Sequence, residues 1–156
     1  SNPDPSMSQN SRPDWMYRDS LPPDDSAYFE NLPHCIFQAG LNWKMIANKW
    51  PGFTEAFAGF DIEKVAGFGD EDVERLMADT GIVRNRGKIL ATIENARTFT
   101  LIAGEHGSFK EWFTGLDKSD NCAGVTKSLR EAFSQVGNST ANIFIYTVGE
   151  DIKQVP

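Results

Sequence analysis

Cysteine and histidine are scarce, with two of each among 156 residues. Cys35 and Cys122 lack the paired spacing of a metal knuckle, and His34 and His106 form no His-x-x-x-His pattern. No metal site and no cofactor is therefore expected. The two cysteines could form one disulfide, but two reduced thiols fit an intracellular chain better. No apolar run approaches the roughly 20 residues that cross a bilayer, and no secretory apolar core is visible. The expected setting is cytoplasmic, without a membrane partner. Positive charge is also in short supply: 15 Lys and Arg against 22 Asp and Glu give a net charge of -7. Broad, nonspecific adhesion to nucleic acid needs a basic surface and is not expected of such a chain. Alternating strand patterns are missing too.

What is present is helical punctuation. With 40% hydrophobic residues the chain can bury one core. A single domain over residues 21–156 is expected, behind a flexible tail over residues 1–20 that opens Ser-Asn-Pro-Asp-Pro-Ser. Phe29, Leu32 and Ile36 recur at helical spacing, with Pro33 expected to kink that helix or start a new one. Pro51 is expected to stop the next helix and Thr54 to open another. Asp61 starts a further helix, and Asp70, Glu71 and Asp72 load the head of the one after it, which suits the helix dipole. A long helix is expected from about Lys88, burying Ile89, Ile93 and Ala96. Ser108 with Glu111 reads as a capping box, and so does Ser128 with Glu131. The fold class expected is all-α, with about eight short helices. Charge is uneven: residues 60–80 are acidic, whereas residues 81–110 carry Arg84, Arg86, Lys88, Arg97 and Lys110. One basic face on an acidic body is therefore expected.

Two connections draw attention. In FQAGLNWKMI, Gly40 can take a left-handed cap conformation and Asn42 can cap the following helix. This holds Trp43 at a helix start, either as a presented aromatic or as a core aromatic. In FSQVGNSTANIFIYTVGE, a helix ending at Phe133 is followed by a tight turn at Val136 and Gly137 and a new helix from Ser139 or Thr140. That pattern fits a helix-hairpin-helix element, which offers backbone N–H groups to a DNA phosphate. An ordinary short connection in a bundle is the alternative.

Three blocks together, QAGLNW (residues 38–43), DVERLMADTGIVRNRGKILATIENAR (residues 72–97) and FSQVGNSTANIFIYTVG (residues 133–149), resemble the bacterial 3-methyladenine DNA glycosylase I (Tag) family. The resemblance implies an all-α helix-hairpin-helix glycosylase bundle that excises alkylated purines from DNA. Damaged double-stranded DNA is the implied partner, and a monomer is expected. On this resemblance Leu41 is the wedge that enters the duplex, with Gly40 beside it. Trp43 stacks on the extruded base, with Gln38 also at the base. Arg84, Arg86 and Lys88 match a basic turn facing the DNA backbone, as do Val136, Gly137, Ser139 and Thr140 in the hairpin. A methylated adenine is cationic, so an indole face attracts it.

The chain departs from the family's pattern in two places. The position of the family's base-reading Glu is Cys35, a weak hydrogen-bonding group that is either small buried packing or, less in keeping with its surroundings, a reactive thiol. The family's zinc-binding Cys and His residues near both termini have no counterparts, and Glu150 and Asp151 are the carboxylates nearest to where the wider superfamily's Asp falls. The expected function is a Tag-like glycosylase whose catalytic residue is unknown. The alternatives are a damaged-DNA binder without chemistry and a protein-interaction domain on the same scaffold.

Overall fold

The computed structural model describes residues 15–154. Its described residues form eight α-helices and one short 3-10 turn: α1 (Asp25–Gln38), α2 (Trp43–Ala56), the turn Ala58–Phe60, α3 (Ile62–Ala66), α4 (Asp70–Met77), α5 (Arg86–His106), α6 (Phe109–Thr114), α7 (Ser119–Ala132) and α8 (Asn138–Thr147). No strand occurs among them, only an isolated bridge between Tyr17 and Val148. The all-α expectation holds.

Local side chains start most of these helices. Asp24 accepts from the Ala27 N–H, Asn42 from Lys44 and Met45, Asp61 from Lys64, Asn85 from Lys88 and Ser108 from Glu111. Each bond satisfies one N–H that an α-helix leaves open in its first turn. One helix head also has a tertiary cap. The Asp25 carboxylate accepts from the Phe109 and Lys110 N–H groups, fastening the head of α6 to α1.

α1 and α5 form the centre. α1 packs against α2, α5, α6 and α8, and α5 also packs against α3, α4 and α6. Every residue from 31 to 37 is buried, so α1 is enclosed on all sides at that level. Around it lies a phenylalanine-rich core. Phe29 meets Phe60 and Phe99 edge-on, Phe37 meets Phe53, and Phe109 stacks on Phe99 and Phe113.

Several local expectations are corrected. α2 runs through Pro51, which is exposed, and Thr54 donates to the Trp50 carbonyl inside it rather than opening a helix. α1 runs through Pro33 in the same way. An internal proline costs about 3 kcal/mol of helix stability, and packing of the surrounding helix face outweighs it. Ser128 lies within α7, so Ser128 and Glu131 form no cap. The long helix starts at Arg86 behind its Asn85 cap, and α8 starts at Asn138. Of the expected tail, residues 1–14 lie outside the described residues, while residues 15–18 are half-buried against the helices and residues 19 and 20 are exposed. The Tyr17 N–H donates to the Thr147 carbonyl at 2.7 Å, and the Arg18 guanidinium lies over the Tyr146 ring.

The approach of Gly52 in α2 to Gly81 leaves no room for a side chain, since a Cβ on Gly52 would stand 2.5 Å from the Gly81 carbonyl oxygen. Gly52→Ala is expected to lower stability by about 1–3 kcal/mol, the usual cost of overpacking. Gly104→Ala, on an open face of α5, should be neutral or stabilise by about 0.5–1 kcal/mol. Urea denaturation of both variants checks the pair; equal midpoints would contradict the close contact.

Candidate functional site

The chain turns between α1 and α2 on Gly40, whose φ of 76° lies in the left-handed region. The Leu41 N–H donates to the Gln38 carbonyl, and Asn42 caps α2 at once. Two apolar side chains are thereby held outward: Leu41 is 41% exposed and Trp43 58% exposed. Trp43 is not a core aromatic. The turn is clamped from α5 by Lys88, whose ammonium donates to the carbonyls of Phe37 and Ala39 at 3.2 and 3.1 Å.

Behind Trp43 lie two adjoining clefts that share Trp15, His34 and Ala47 as walls. The smaller, about 200 Å³, is completed by Met16, Gln38 and Trp43. The larger, about 490 Å³, extends to Tyr17, Glu30, Trp50 and Thr54. Between them the Trp15 indole stacks on the His34 imidazole at 3.8 Å and 14°. His34 also leans on Trp50 at 4.1 Å. It is 1% exposed, and neither ring nitrogen is in full hydrogen-bond geometry with a described group, although the Gln38 amide is close enough to act on it. Burial drives its pKa down to about 4, against a smaller upward pull from its own backbone and the Gln38 amide. His34 is therefore neutral at physiological pH.

Cys35 lines neither cleft. It is buried beside Asn31 and Thr147, with its sulfur 3.6 Å from the Asn31 Oδ1 and 3.8 Å from the Thr147 Oγ1. Burial pushes its pKa up to about 12, so it carries neither the charge of a carboxylate nor the reactivity of a thiolate. Among the described residues no three His, Cys, Asp or Glu side chains gather to hold a metal, and the separately buried Cys35 and Cys122 do not fit a zinc site.

Most of the expected basic residues are engaged with nearby groups, although Arg84, Arg86 and Arg97 remain exposed. Arg97 donates to the carbonyls of Ala66 and Phe68, Lys110 to that of Pro22, and Arg86 pairs with Glu74 at 2.8 Å. With Lys88 on the turn, only Arg84 of the five is exposed without a described partner. For Arg97 and Lys88 the cause is the open carbonyls at the ends of α3 and α1, which attract cationic donors.

In the hairpin, Val136 and Thr140 are buried, whereas Gly137 and Ser139 face outward. Asn95 of α5 holds the loop, accepting from the Ser134 N–H and donating to its carbonyl. The left-handed residue is Gln135, at φ 61°. Gly137 has ordinary dihedrals, and a Cβ there would meet nothing within 4 Å. α8 has no side-chain cap, so its first-turn N–H groups stay open. Gly87 lies against Gln135 while its neighbour Lys88 holds the α1–α2 turn, so the turn, the head of α5 and the hairpin meet. A further cleft of about 710 Å³ opens between α7 and α8, beside Arg130, Ser139 and Asn142. Sequence reasoning missed Trp15, Glu30, His34 and Asn95 as site residues. The spacing of Glu30, His34 and Gln38 at every fourth position was the available signal.

Residues 12–145 match the family model for methyladenine glycosylase. Over 62 residues the chain is 50% identical to DNA-3-methyladenine glycosylase 1 of Escherichia coli (strain K12), covering 40% of this chain and 33% of that protein. Over 91 residues it is 34% identical to the DNA-3-methyladenine glycosylase of Haemophilus influenzae, covering 57% and 49%. The matches thus span about a third to a half of these relatives' lengths. Among solved structures, a substituted 3-methyladenine DNA glycosylase I in complex with 3-methyladenine superposes with a TM-score of 0.76 at 27% identity, over 90% of this chain and 87% of that one. No helix among the described residues is long and apolar enough to cross a membrane.

His34 imposes a pH dependence on stability. Its pKa is about 4 folded against 6.5 unfolded, so between these values the unfolded chain binds the extra proton. Its contribution is fully present above about pH 6.5 and is lost as pH falls to about 4, by roughly 3 kcal/mol at most. His34→Phe keeps an aromatic ring and removes the titration. Denaturation midpoints at pH 7 and pH 4.5 should differ less in this variant than in the wild type; identical differences would exclude His34 as the cause.

Proposed function

The chain belongs to the methyladenine glycosylase family, and from that premise we propose that it is a DNA base-excision glycosylase releasing alkylated purines such as 3-methyladenine. Its partner on this reading is damaged double-stranded DNA, on which it acts as a monomer in the cytoplasm. The observation that carries the proposal is the exposed Leu41–Trp43 turn, joined through Lys88 and Gly87 to a hairpin with open backbone N–H groups.

In this reading the hairpin N–H groups and the exposed Gly137 and Ser139 approach a phosphate. Arg84 adds the one uncommitted charge of the α5 head. Leu41 fills the space of the extruded nucleotide, which offsets part of the unstacking cost. Trp43 stacks on the base at the mouth of the cleft lined by Trp15, His34 and Gln38. An N3-methylated adenine in DNA carries a positive charge, so its bond to the sugar is already weak. Water attacks C1′ as the C1′–N9 bond breaks, the bonding pair neutralises the ring, and the water's proton passes to solvent. A dry aromatic cleft favours this departure without a strong acid.

A second reading, a damaged-DNA binder that flips the base without releasing it, is favoured by one observation: Cys35 is buried, protonated and away from both clefts. Single-turnover release of 3-methyladenine from a methylated duplex separates the two.

Trp43→Ala should weaken damaged-base recognition by about 1–3 kcal/mol, the range for base–aromatic stacking, with little change in thermal stability because Trp43 is mostly exposed. A folded variant with wild-type base release and abasic-site binding would remove Trp43 from the site. Arg84→Ala should weaken DNA binding on all sequences alike and lower the salt slope by about one charge. Filter binding over a salt series reads both, and an unchanged slope would take Arg84 off the interface.

A further inference from the structure

The base proposed to enter this site is a cation, yet its nearest walls are electrically neutral. Trp15, Trp43 and Gln38 carry no charge, His34 is held neutral by burial, and Cys35 is a protonated thiol outside the clefts. The larger cleft supplies the missing charge. Glu30 lies on α1 one turn before His34 and two turns before Gln38, so the three form one stripe along the floor. Its carboxylate accepts a hydrogen bond from the Trp50 Nε1–H at 2.9 Å. Trp50 is itself fixed by stacking on Phe60 at 5.1 Å and 6° and on Phe53 at 4.8 Å. The carboxylate is thus aimed by a rigid indole, and Tyr17 of the same cleft has its pKa raised first by burial and then by the charges of Glu30 and Asp24.

We propose that Glu30 is the recognition residue for the positive charge of the alkylated base, acting from the cleft it lines with Trp15, Tyr17, His34 and Trp50, which adjoins the cleft closed by Trp43. Three features of the cleft support this assignment. A partly buried carboxylate loses hydration that one indole N–H replaces only in part, and no cation among the described residues is paired with it. A cationic guest restores the balance, whereas a neutral purine of the same shape does not. The Trp15 indole, which is half-buried, favours the same guest through the quadrupole of the face not stacked on His34, while Trp50 serves as the buried anchor of the carboxylate. A volume of about 490 Å³ lies within the range of small-ligand clefts. The inference rests on the glycosylase reading for the identity of the guest. Glu30 would discriminate damaged from undamaged adenine by charge, a task the thiol at position 35 cannot perform.

The test compares two small probes on the full chain: the permanent cation 3,9-dimethyladeninium and neutral 9-methyladenine, followed by tryptophan fluorescence and calorimetry. Wild type should prefer the cation. Glu30→Gln keeps an oxygen for the Trp50 N–H and removes the charge. It should bind the cation at least tenfold more weakly and the neutral probe within twofold of wild type, with an unchanged melting temperature. Single-turnover release of 3-methyladenine should fall with it, while binding to an abasic duplex, which presents no base, should not. Equal affinity of the wild type for both probes, an unchanged cation affinity in Glu30→Gln, or a parallel loss of both probes would overturn the proposal. If Glu30→Gln binds and releases like wild type while wild type does release base, the glycosylase reading stands and the role of Glu30 falls. If wild type releases no base and ignores abasic DNA, but its cation affinity still depends on Glu30, the glycosylase reading falls and the cation site stands.

Discussion

The enclosure of α1 is the constraint on which the rest of the molecule depends. A helix surrounded at residues 31–37 must satisfy every polar group it carries there, because an unpaired buried group costs about 1–3 kcal/mol. Asn31 meets that requirement by reaching outward. Its Nδ2 donates to the Trp15 carbonyl, and its Oδ1 accepts from the Thr147 hydroxyl at 2.6 Å. The same side chain therefore pins the entry segment and the end of α8 to one point on α1. With the Tyr17 N–H bound to the Thr147 carbonyl, the entry segment has little freedom, and the Trp15 ring is delivered onto His34. The paired clefts follow from this pinning. His34 is met less well, by the Gln38 amide without full hydrogen-bond geometry, and it lies where the clefts adjoin.

The parts of the fold legible in the sequence were those decided within one turn of chain. Asn42, Asp61 and Ser108 cap helices through bonds to residues two or three positions on, and such bonds need no knowledge of the rest of the molecule. Pro33 and Pro51 misled because a local cost was set against a tertiary gain not visible along the chain. The head of α7 was illegible for the same reason. Asp120, Asn121 and Cys122 take left-handed dihedrals in succession, and the Asn121 side chain meets both the N–H and the carbonyl of Lys153. No local pattern announces a turn held by a segment some thirty residues later.

The site divides along the same line. Gly40 and Asn42 made the outward turn at Leu41 and Trp43 readable, and the structure exposes both side chains. The run of basic residues is exposed at Arg84, Arg86 and Arg97, but which of its members bind a neighbouring carbonyl or carboxylate depends on tertiary packing. Arg97 and Lys88 bind the last carbonyls of α3 and α1. Lys88 nonetheless serves the site by fixing the turn it was expected to flank. Glu30 and His34 escaped notice because their meaning comes from the entry segment laid across them. Their spacing on α1 was visible, but the ring stacked above it was not.

The charge distribution constrains how such a protein can hold DNA. With Arg86 paired to Glu74 and Lys88, Arg97 and Lys110 bound to backbone carbonyls, Arg84 is the uncommitted charge of this run, and the counterion release it offers is small. Asp70 and Glu71 at the head of α4 are exposed and would repel a phosphate chain brought near them. On the glycosylase reading, attraction then comes largely from neutral groups: the first-turn N–H groups of α8, Leu41 and the Trp43 face. These act only at contact and only when the duplex admits the wedge. Intact, well-stacked DNA charges the full unstacking cost against this weak electrostatic gain, while a damaged or abasic position has already met part of it. On the glycosylase reading, acidity is therefore a source of selectivity. It suppresses binding wherever the DNA is not already deformed, and leaves the aromatic turn to decide where the protein stays.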